Sequence, residues 1–297
     1  MSARHLLVMN PAAGRRHARD PRTVLAAFQR RGLDADLAVT ERPGHARDLV
    51  RTLGPRFEVI VVVGGDGTLY EVIQGLDLEQ HRLGLIPWGS GNDFAWSAGI
   101  SGDLDACVDR IASARERRVD LGSYEVEHSG GLARGRFHNE MGFGFEALVN
   151  AESHRVHRVR GAAVYVWALL RALPRYRSYP AKLEWNGGHY EGDVLLLAVG
   201  NGKRVGGCFR FFPDAAQDDG RLDLLHTGRI GFLRAPAVLS RLLRGTHVGT
   251  TGVHYAQAPA FTVRSPGGIP VYVDGEFLAL QATTARVEAL PRCLRIV

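Results

Sequence analysis

Residues 57–76 read FEVIVVVGGDGTLYEVIQGL, and the reading of this stretch decides the fold. Val59 to Val63 is an unbroken β-branched run, the composition of a parallel strand buried on both faces. It stops at Gly64-Gly65-Asp66-Gly67-Thr68. Leu69, Val72, Ile73 and Leu76 then recur at i, i+3, i+4 and i+7, the spacing of a helix with one buried face. A strand that runs through glycines into a helix suits phosphate, because glycines let the main chain approach an anion and the first helical N–H groups favour negative charge. Asp66 would repel a bare phosphate, so it makes more sense as a holder of Mg2+ or its bound water beside one. The same turn also serves purely structural strand–helix connections, in which Asp is a common residue.

Outward from this stretch, strand and helix signals alternate. Residues 5–9 read as a strand followed by the tight loop Asn10-Pro11-Ala12-Ala13-Gly14. Helices are expected over 19–30 and 45–53, with strands over 33–40 and 82–86. The last of these breaks at Pro87-Trp88-Gly89-Ser90-Gly91-Asn92-Asp93, and helical segments follow from Phe94 and over 104–111. This is the grammar of an α/β domain with a parallel sheet, its glycine-rich loops at the carboxyl edge where such sheets bind ligands. From about Tyr124 the pattern turns to short strands, expected over 134–138, 190–199, 222–226, 261–264 and 271–273, with helical stretches at 162–173 and 232–243. The predicted fold class is therefore α/β plus mainly-β. An N-terminal parallel-sheet nucleotide-binding domain spans 1–123, a C-terminal β-sandwich or flattened barrel spans 124–285, and the segment 286–297 suits a strand of either domain.

Bulk properties narrow the partners. The 297 residues carry 45% hydrophobic and 23% charged side chains, as in globular proteins, and a net charge of +6 that mildly favours an anionic partner. Cys107, Cys208 and Cys293 are far apart and show no metal or disulfide spacing, which fits a reducing cytoplasm. The apolar run at the N-terminus is too short for a signal peptide, and residues 161–170 fall short of the roughly 20 needed to span a bilayer. No recognition-helix or finger pattern points to nucleic acid.

The remaining motifs each have a plain structural reading beside a functional one. Ser90, between two glycines, offers a hydroxyl and amides to a phosphate or an adenine edge, but Trp88 stands where a G-x-S-x-G nucleophile needs glycine. Asn92 and Asp93 read equally as a helix N-cap pair, and capping is the favoured role for Asp93. Residues 142–147 formally match G-x-G-x-x-A but read as a turn or bulge. Asp274-Gly275-Glu276 is by itself a hairpin turn. Asp214, Asp218, Asp219 and Asp223 make either a cation site or a polar loop. The arginine–histidine run 154–160, with Arg171, Arg175 and Arg177, makes either a solvated face or a surface for acidic lipid.

Taken together, these stretches resemble the diacylglycerol kinase catalytic-domain family, in its bacterial soluble lipid-kinase branch. The likeness runs from Asn10-Pro11-Ala12-Ala13-Gly14 through Gly64–Thr68 with Glu71-Val72, Pro87–Asp93 with Phe94-Ala95, and Asp120-Leu121-Gly122. It continues through Asn201-Gly202, Pro213-Asp214-Ala215 with Asp219-Gly220, and Asp274-Gly275-Glu276. The resemblance implies ATP bound by Asn10, Gly14, Thr40, Gly64, Gly65, Asp66, Gly67, Thr68, Gly89, Ser90 and Asn92. It implies a lipid hydroxyl in the cleft between the domains, with Glu276 as general base and Asp66, Asp120 and Asp274 organising Mg2+ and its waters. A structural Mg2+ would be held by Asp219 with main-chain oxygens of Ala216 and Arg221. Diacylglycerol is the leading acceptor. A sphingoid base or another lipid alcohol is the nearest alternative, and a nucleotide- or lipid-sensing module without turnover is the reading from another class. Such a protein would be cytoplasmic, visit the membrane surface transiently, bind no nucleic acid, and be compatible with a homodimer. Tyr70, Trp88 and Trp96 depart from the residues usual in that family at their positions.

Overall fold

The computed structural model describes residues 4–14, 20–153, 167–168, 171–172, 177–228 and 235–297. The chain divides into two compact units: residues up to Asp120 together with Arg292–Val297, and Leu121–Pro291.

In the first unit, β1 (His5–Met9), β2 (Ala35–Val39), β3 (Val59–Gly64) and β4 (Arg82–Pro87) form a parallel sheet in the order β2-β1-β3-β4. The helices between them are α1 (Pro21–Gln29), α2 (His45–Leu53) and α3 (Asp66–Gly75), with α4 (Asp93–Ser97) and α5 (Leu104–Ala112) after β4. Every residue of β3 is buried, as its β-branched composition requires at the centre of such a sheet. Val24 and Phe28 of α1 and Val108 and Ile111 of α5 share one core cluster with Val59, Val61 and Val63. The chain ends in this sheet, where Ile296 pairs in parallel with Leu83 and the Val297 N–H reaches the Leu83 carbonyl at 3.0 Å. Because β2 lies on one side of β1 and β3 on the other, successive crossovers diverge between β1 and β3. That divergence opens a crevice at the carboxyl ends of these strands.

The second unit is antiparallel. Its strands are β5 (Arg117–His128, entering from the first unit), β6 (Gly131–Phe137), β7 (Glu140–Gly144), β8 (Tyr179–Trp185), β9 (Gly188–Val194), β10 (Leu196–Gly200), β11 (Leu222–Thr227), β12 (Val253–Ala258), β13 (Ala260–Val273) and β14 (Glu276–Ile296). The order β12-β11-β10-β7-β13-β14 is joined by β5 and β6 beyond β14, and by β8 and β9 beside the first half of β13. β13 serves both layers of the sandwich: residues 261–264 pair with β8, and residues 271–273 pair with β7 after a register shift. Phe211, Phe212, Leu225 and Leu242 centre a core cluster. Among the described residues its longer helices are α6 (Phe145–Ser153) and α7 (Ala235–Arg244).

Three local expectations are corrected. Residues 142–147, expected to be a turn or bulge, are the end of β7 and the start of α6, with Gly144 (φ +74°) making the turn between them. The stretch 190–199 is two strands, and 261–273 is one strand rather than two. The expected helix at 162–173 and the run 154–160 lie almost wholly outside the described residues.

Two helices are joined by a half-buried acid. Glu71, on α3, accepts the N–H groups of Gly44 at 2.7 Å and Ala46 at 3.0 Å, capping α2, whose N-cap Gly44 has no side chain to do so. Truncation to Glu71→Ala strands both donors and is expected to cost about 1–3 kcal/mol, read as a lower urea midpoint at unchanged slope.

Candidate active site

The crevice at the strand ends is built by three loops. After β1, Asn10 donates its N–H to the Val63 carbonyl at 3.0 Å, its Oδ1 accepts from the Ala12 N–H at 2.9 Å, and its Nδ2 reaches the Thr68 Oγ1 at 3.3 Å. Thr40, at the end of β2, is tied to Met9 by its own N–H at 2.8 Å. Gly14 (φ +72°) lies so close to the Trp88 carbonyl that a Cβ there would stand 2.3 Å from the oxygen. After β3, Gly64 faces Thr68, and a Cβ on Gly64 would meet its Oγ1 at 2.6 Å.

The closest approach joins the second loop to the third. A Cβ on Gly65 would stand 2.8 Å from the Gly89 Cα, and one on Gly89 would stand 2.4 Å from the Gly65 Cα. The Trp88 N–H also donates to the Gly64 carbonyl at 2.8 Å. Only glycine on both sides allows the loops to lie this close, and the result leaves the first turn of α3 open at the crevice for an anion. Gly67 and Ser90 are exposed there.

Asn92 holds its own loop rather than the helix that follows it. Its Oδ1 accepts the Gly89 N–H at 2.8 Å and its Nδ2 donates to the Gly89 carbonyl at 2.9 Å, so it pins the loop from within. The expected N-cap bond from Asn92 is absent, since the side chain makes no cap bond to α4. The cap comes from Asp66, whose Oδ1 accepts the Phe94 N–H at 3.3 Å. Asp93 is buried, and a Cβ on Gly91 would lie 3.1 Å from the Asp66 Oδ2 and 3.4 Å from the Asp93 Oδ2. The two carboxylates therefore flank one glycine. Gly91 has no side chain to separate the pair. Two carboxylates completed by phosphate oxygens are the donor set Mg2+ takes, so these residues fit that ion.

Asp120 is fully buried and its Oδ1 accepts the Arg292 N–H at 2.6 Å, fixing the point where the chain re-enters the first unit. A groove of about 460 Å³ borders the start of the third loop, lined by Asp20, Thr23, Pro87, Trp88, Asp103 and Leu104. Asp20 and Asp103 cap α1 and α5 there, which disfavours phosphate.

In the second unit, Asp274 (φ +47°) and Gly275 (φ +92°) make a two-residue hairpin turn between β13 and β14 that leaves Glu276 exposed. Asp274 is held firmly. Its Oδ1 accepts from the Asn139 and Glu140 N–H groups, each at 2.9 Å, and its Oδ2 accepts from the His138 N–H at 2.8 Å. Burial raises its carboxyl above the usual range, opposed by His138 and by these N–H bonds. Its first task is thus to hold the turn.

Asp219 accepts the Arg221 N–H at 2.9 Å around Gly220 (φ +72°). Asp223 accepts from Tyr255 and Gln257, and burial together with Asp219 and Asp214 pushes it up to about 6. Excess negative charge of this kind suits a cation with oxygen ligands, as expected for Asp219 with Ala216 and Arg221. Among the described residues, however, no three His, Cys, Asp or Glu side chains converge on a metal position. Nor is any helix among them long and apolar enough to cross a membrane.

Residues 4–124 match the model of the diacylglycerol kinase catalytic domain, and residues 139–297 match that of the YegS C-terminal NAD kinase beta sandwich-like domain. The chain belongs to the diacylglycerol kinase family of lipid kinases. It is 32% identical over 280 residues to a probable YegS-like lipid kinase of Pseudomonas putida, spanning 93% of this chain and 90% of that one. It is 28% identical over 282 residues to a diacylglycerol kinase of Staphylococcus saprophyticus, with the same shares covered. The fold matches a crystal structure of a diacylglycerol kinase from Bacillus anthracis with a TM-score of 0.72 at 22% identity, over 99% of this chain and 96% of that one. As a member of this lipid kinase family it is a phosphotransferase.

Gly89→Ala tests the loop contact. The added methyl must push the Gly65 main chain away, at an expected cost of about 1–3 kcal/mol in urea unfolding. Ala at the exposed Ser90 should change stability by less than about 0.5 kcal/mol.

Proposed function

We propose that the chain is an ATP-dependent lipid kinase that transfers the γ-phosphoryl group to a lipid hydroxyl, with diacylglycerol as acceptor and phosphatidic acid as product. The observation that carries this reading is the glycine-on-glycine contact of Gly65 and Gly89, which opens the α3 N-terminus beside Asp66 and Asp93 at the sheet's switch point. The naming of the Staphylococcus saprophyticus relative supports the acceptor.

Asn10, Gly14, Thr40, Gly64–Thr68 and Gly89–Asn92 form the nucleotide loops, with main-chain N–H groups on the phosphates. Asp66 and Asp93 would hold Mg2+, which when bound would offset charge on the transferring phosphoryl group. Asp120 and Asp274 act through the chain they fix: Asp120 holds Arg292, and Asp274 holds the turn that presents Glu276. Asp219, with main-chain oxygens of Ala216 and Arg221, is the proposed seat of a structural Mg2+. Glu276 is the general base. An alcohol is a weak nucleophile at neutral pH, so as its oxygen bonds to phosphorus and the bond to the ADP oxygen breaks, the hydroxyl proton passes to the Glu276 carboxylate. The lipid acceptor brings the protein to a membrane surface as a peripheral visitor.

Transfer from γ-labelled ATP with Mg2+ to diacylglycerol, sphingoid bases and other lipid alcohols in mixed micelles tests the reading. Label is expected in diacylglycerol. Glu276→Gln should lower kcat about 10²–10⁴-fold while leaving ATP affinity within about twofold. Label in no acceptor, with ATP bound normally, would instead make the chain a nucleotide sensor.

A further inference from the structure

Behind the Asp274 turn lies a buried polar cluster that hydrophobic packing does not require. Tyr272, on β13 and 2% exposed, points its hydroxyl at two acids, Glu140 on β7 and Glu146 in the first turn of α6. The Oη stands 2.6 Å from the Glu140 Oε1 and 2.8 Å from the Glu146 Oε1. The ring is laid flat by Gly142, where a Cβ would meet its Cε1 at 2.0 Å.

A phenol has one proton and can donate to only one of these carboxylates. Two short contacts need a second proton, carried by a carboxyl group that donates to the phenol oxygen. Burial pushes Glu146 up to about 8, so at neutral pH that proton resides on Glu146. The chain of bonds then runs from the Glu146 carboxyl to the Tyr272 hydroxyl to the Glu140 carboxylate. Glu140 is also one wall of the hairpin turn: its N–H donates to Asp274 and its carbonyl accepts the Asp274 N–H at 2.8 Å. A purely structural core would be at least as stable with apolar side chains here, since burying acids is costly.

We propose that Glu146, Tyr272 and Glu140 form a proton-sharing strut that fixes the turn presenting Glu276, and so act as positioning residues for phosphoryl transfer. The inference rests on Glu276 being the general base. Among the described residues, α6 packs chiefly on β7, β10 and β13, and Ala172 joins its apolar cluster. β7 brings Glu140 alone, and β10 brings no titratable residue. β13 brings Tyr272 and, far along the strand, Arg264, which is paired with Glu184. On α6 itself Glu152 is paired with Arg171. Because the folded-state pKa of Glu146 is raised, the stability that its proton confers is fully present below the unfolded value near 4.5 and is lost as pH rises through about 8.

The test compares wild type, Tyr272→Phe and Glu146→Gln, in turnover from about pH 6 to pH 9.5 and in amide exchange at residues 273–276. Tyr272→Phe should lower kcat about 10–100-fold with the KM for ATP within about twofold. Glu146→Gln, which keeps a neutral donor, should hold kcat within about threefold at neutral pH and lose the alkaline fall shown by wild type near pH 8. Above that pH, exchange at the turn should quicken in wild type beyond its chemical rate, and not in Glu146→Gln. Unchanged kcat in Tyr272→Phe, or the same alkaline profile in both carboxyl and amide forms, would overturn the proposal. If wild type transfers no phosphate at all, the kinase reading fails, and the exchange data alone decide whether the strut holds the turn.

Discussion

A buried main-chain N–H without a partner costs free energy comparable to a lost hydrogen bond, and this chain meets that constraint with carboxylates. Where regular structure stops near the site, an acid from elsewhere in the sequence supplies the acceptor. Asp66 caps α4 at Phe94, Glu71 caps α2 at Gly44 and Ala46, Asp120 receives Arg292, and Asp274 receives His138, Asn139 and Glu140. Each bond is charge-assisted and directional, which fixes loops that hydrophobic burial alone would leave free to adjust. Residues whose type suggests metal or proton chemistry are therefore also the fasteners of the segments that carry it.

The glycine contacts complement these fasteners. Gly65 and Gly89 bring two loop backbones together, and Gly91 leaves Asp66 and Asp93 side by side. A Cβ at either of the first two positions would separate the loops, and one at the third would crowd the acids. The family's chemistry needs exposed N–H groups, a divalent cation and a carboxylate base. The first two have their candidates at the carboxyl edge of the parallel sheet, and the third has its candidate at the hairpin tip of the second unit.

Much of this was legible in residues 57–76, because a β-branched run ending in glycines leaves few alternatives to a central parallel strand. The helix over His45–Leu53 follows its apolar spacing from end to end, and Asp274-Gly275 makes the turn its composition favours. What escaped was non-local. The stretch 140–144 contains two glycines and an acid, a poor strand by composition, yet it is fully buried between β10 and β13. β14 runs through Thr283-Thr284 and Pro291 without a clear alternation, and its register is set by β13 rather than by its own pattern. Asp120 and Arg292 meet across most of the chain, and the cap at Phe94 comes from Asp66 on another helix. Local spacing cannot reveal such pairs.

The most direct measurement is amide hydrogen exchange with and without Mg2+ and a non-hydrolysable ATP analogue. The account predicts slower exchange at residues 10–14, 64–69 and 87–94, weakened by Asp66→Ala, with β8 and β9 unchanged. Protection absent from these three loops, or concentrated in the groove at residues 20–23 and 102–104, would contradict the placement of the nucleotide at the strand ends.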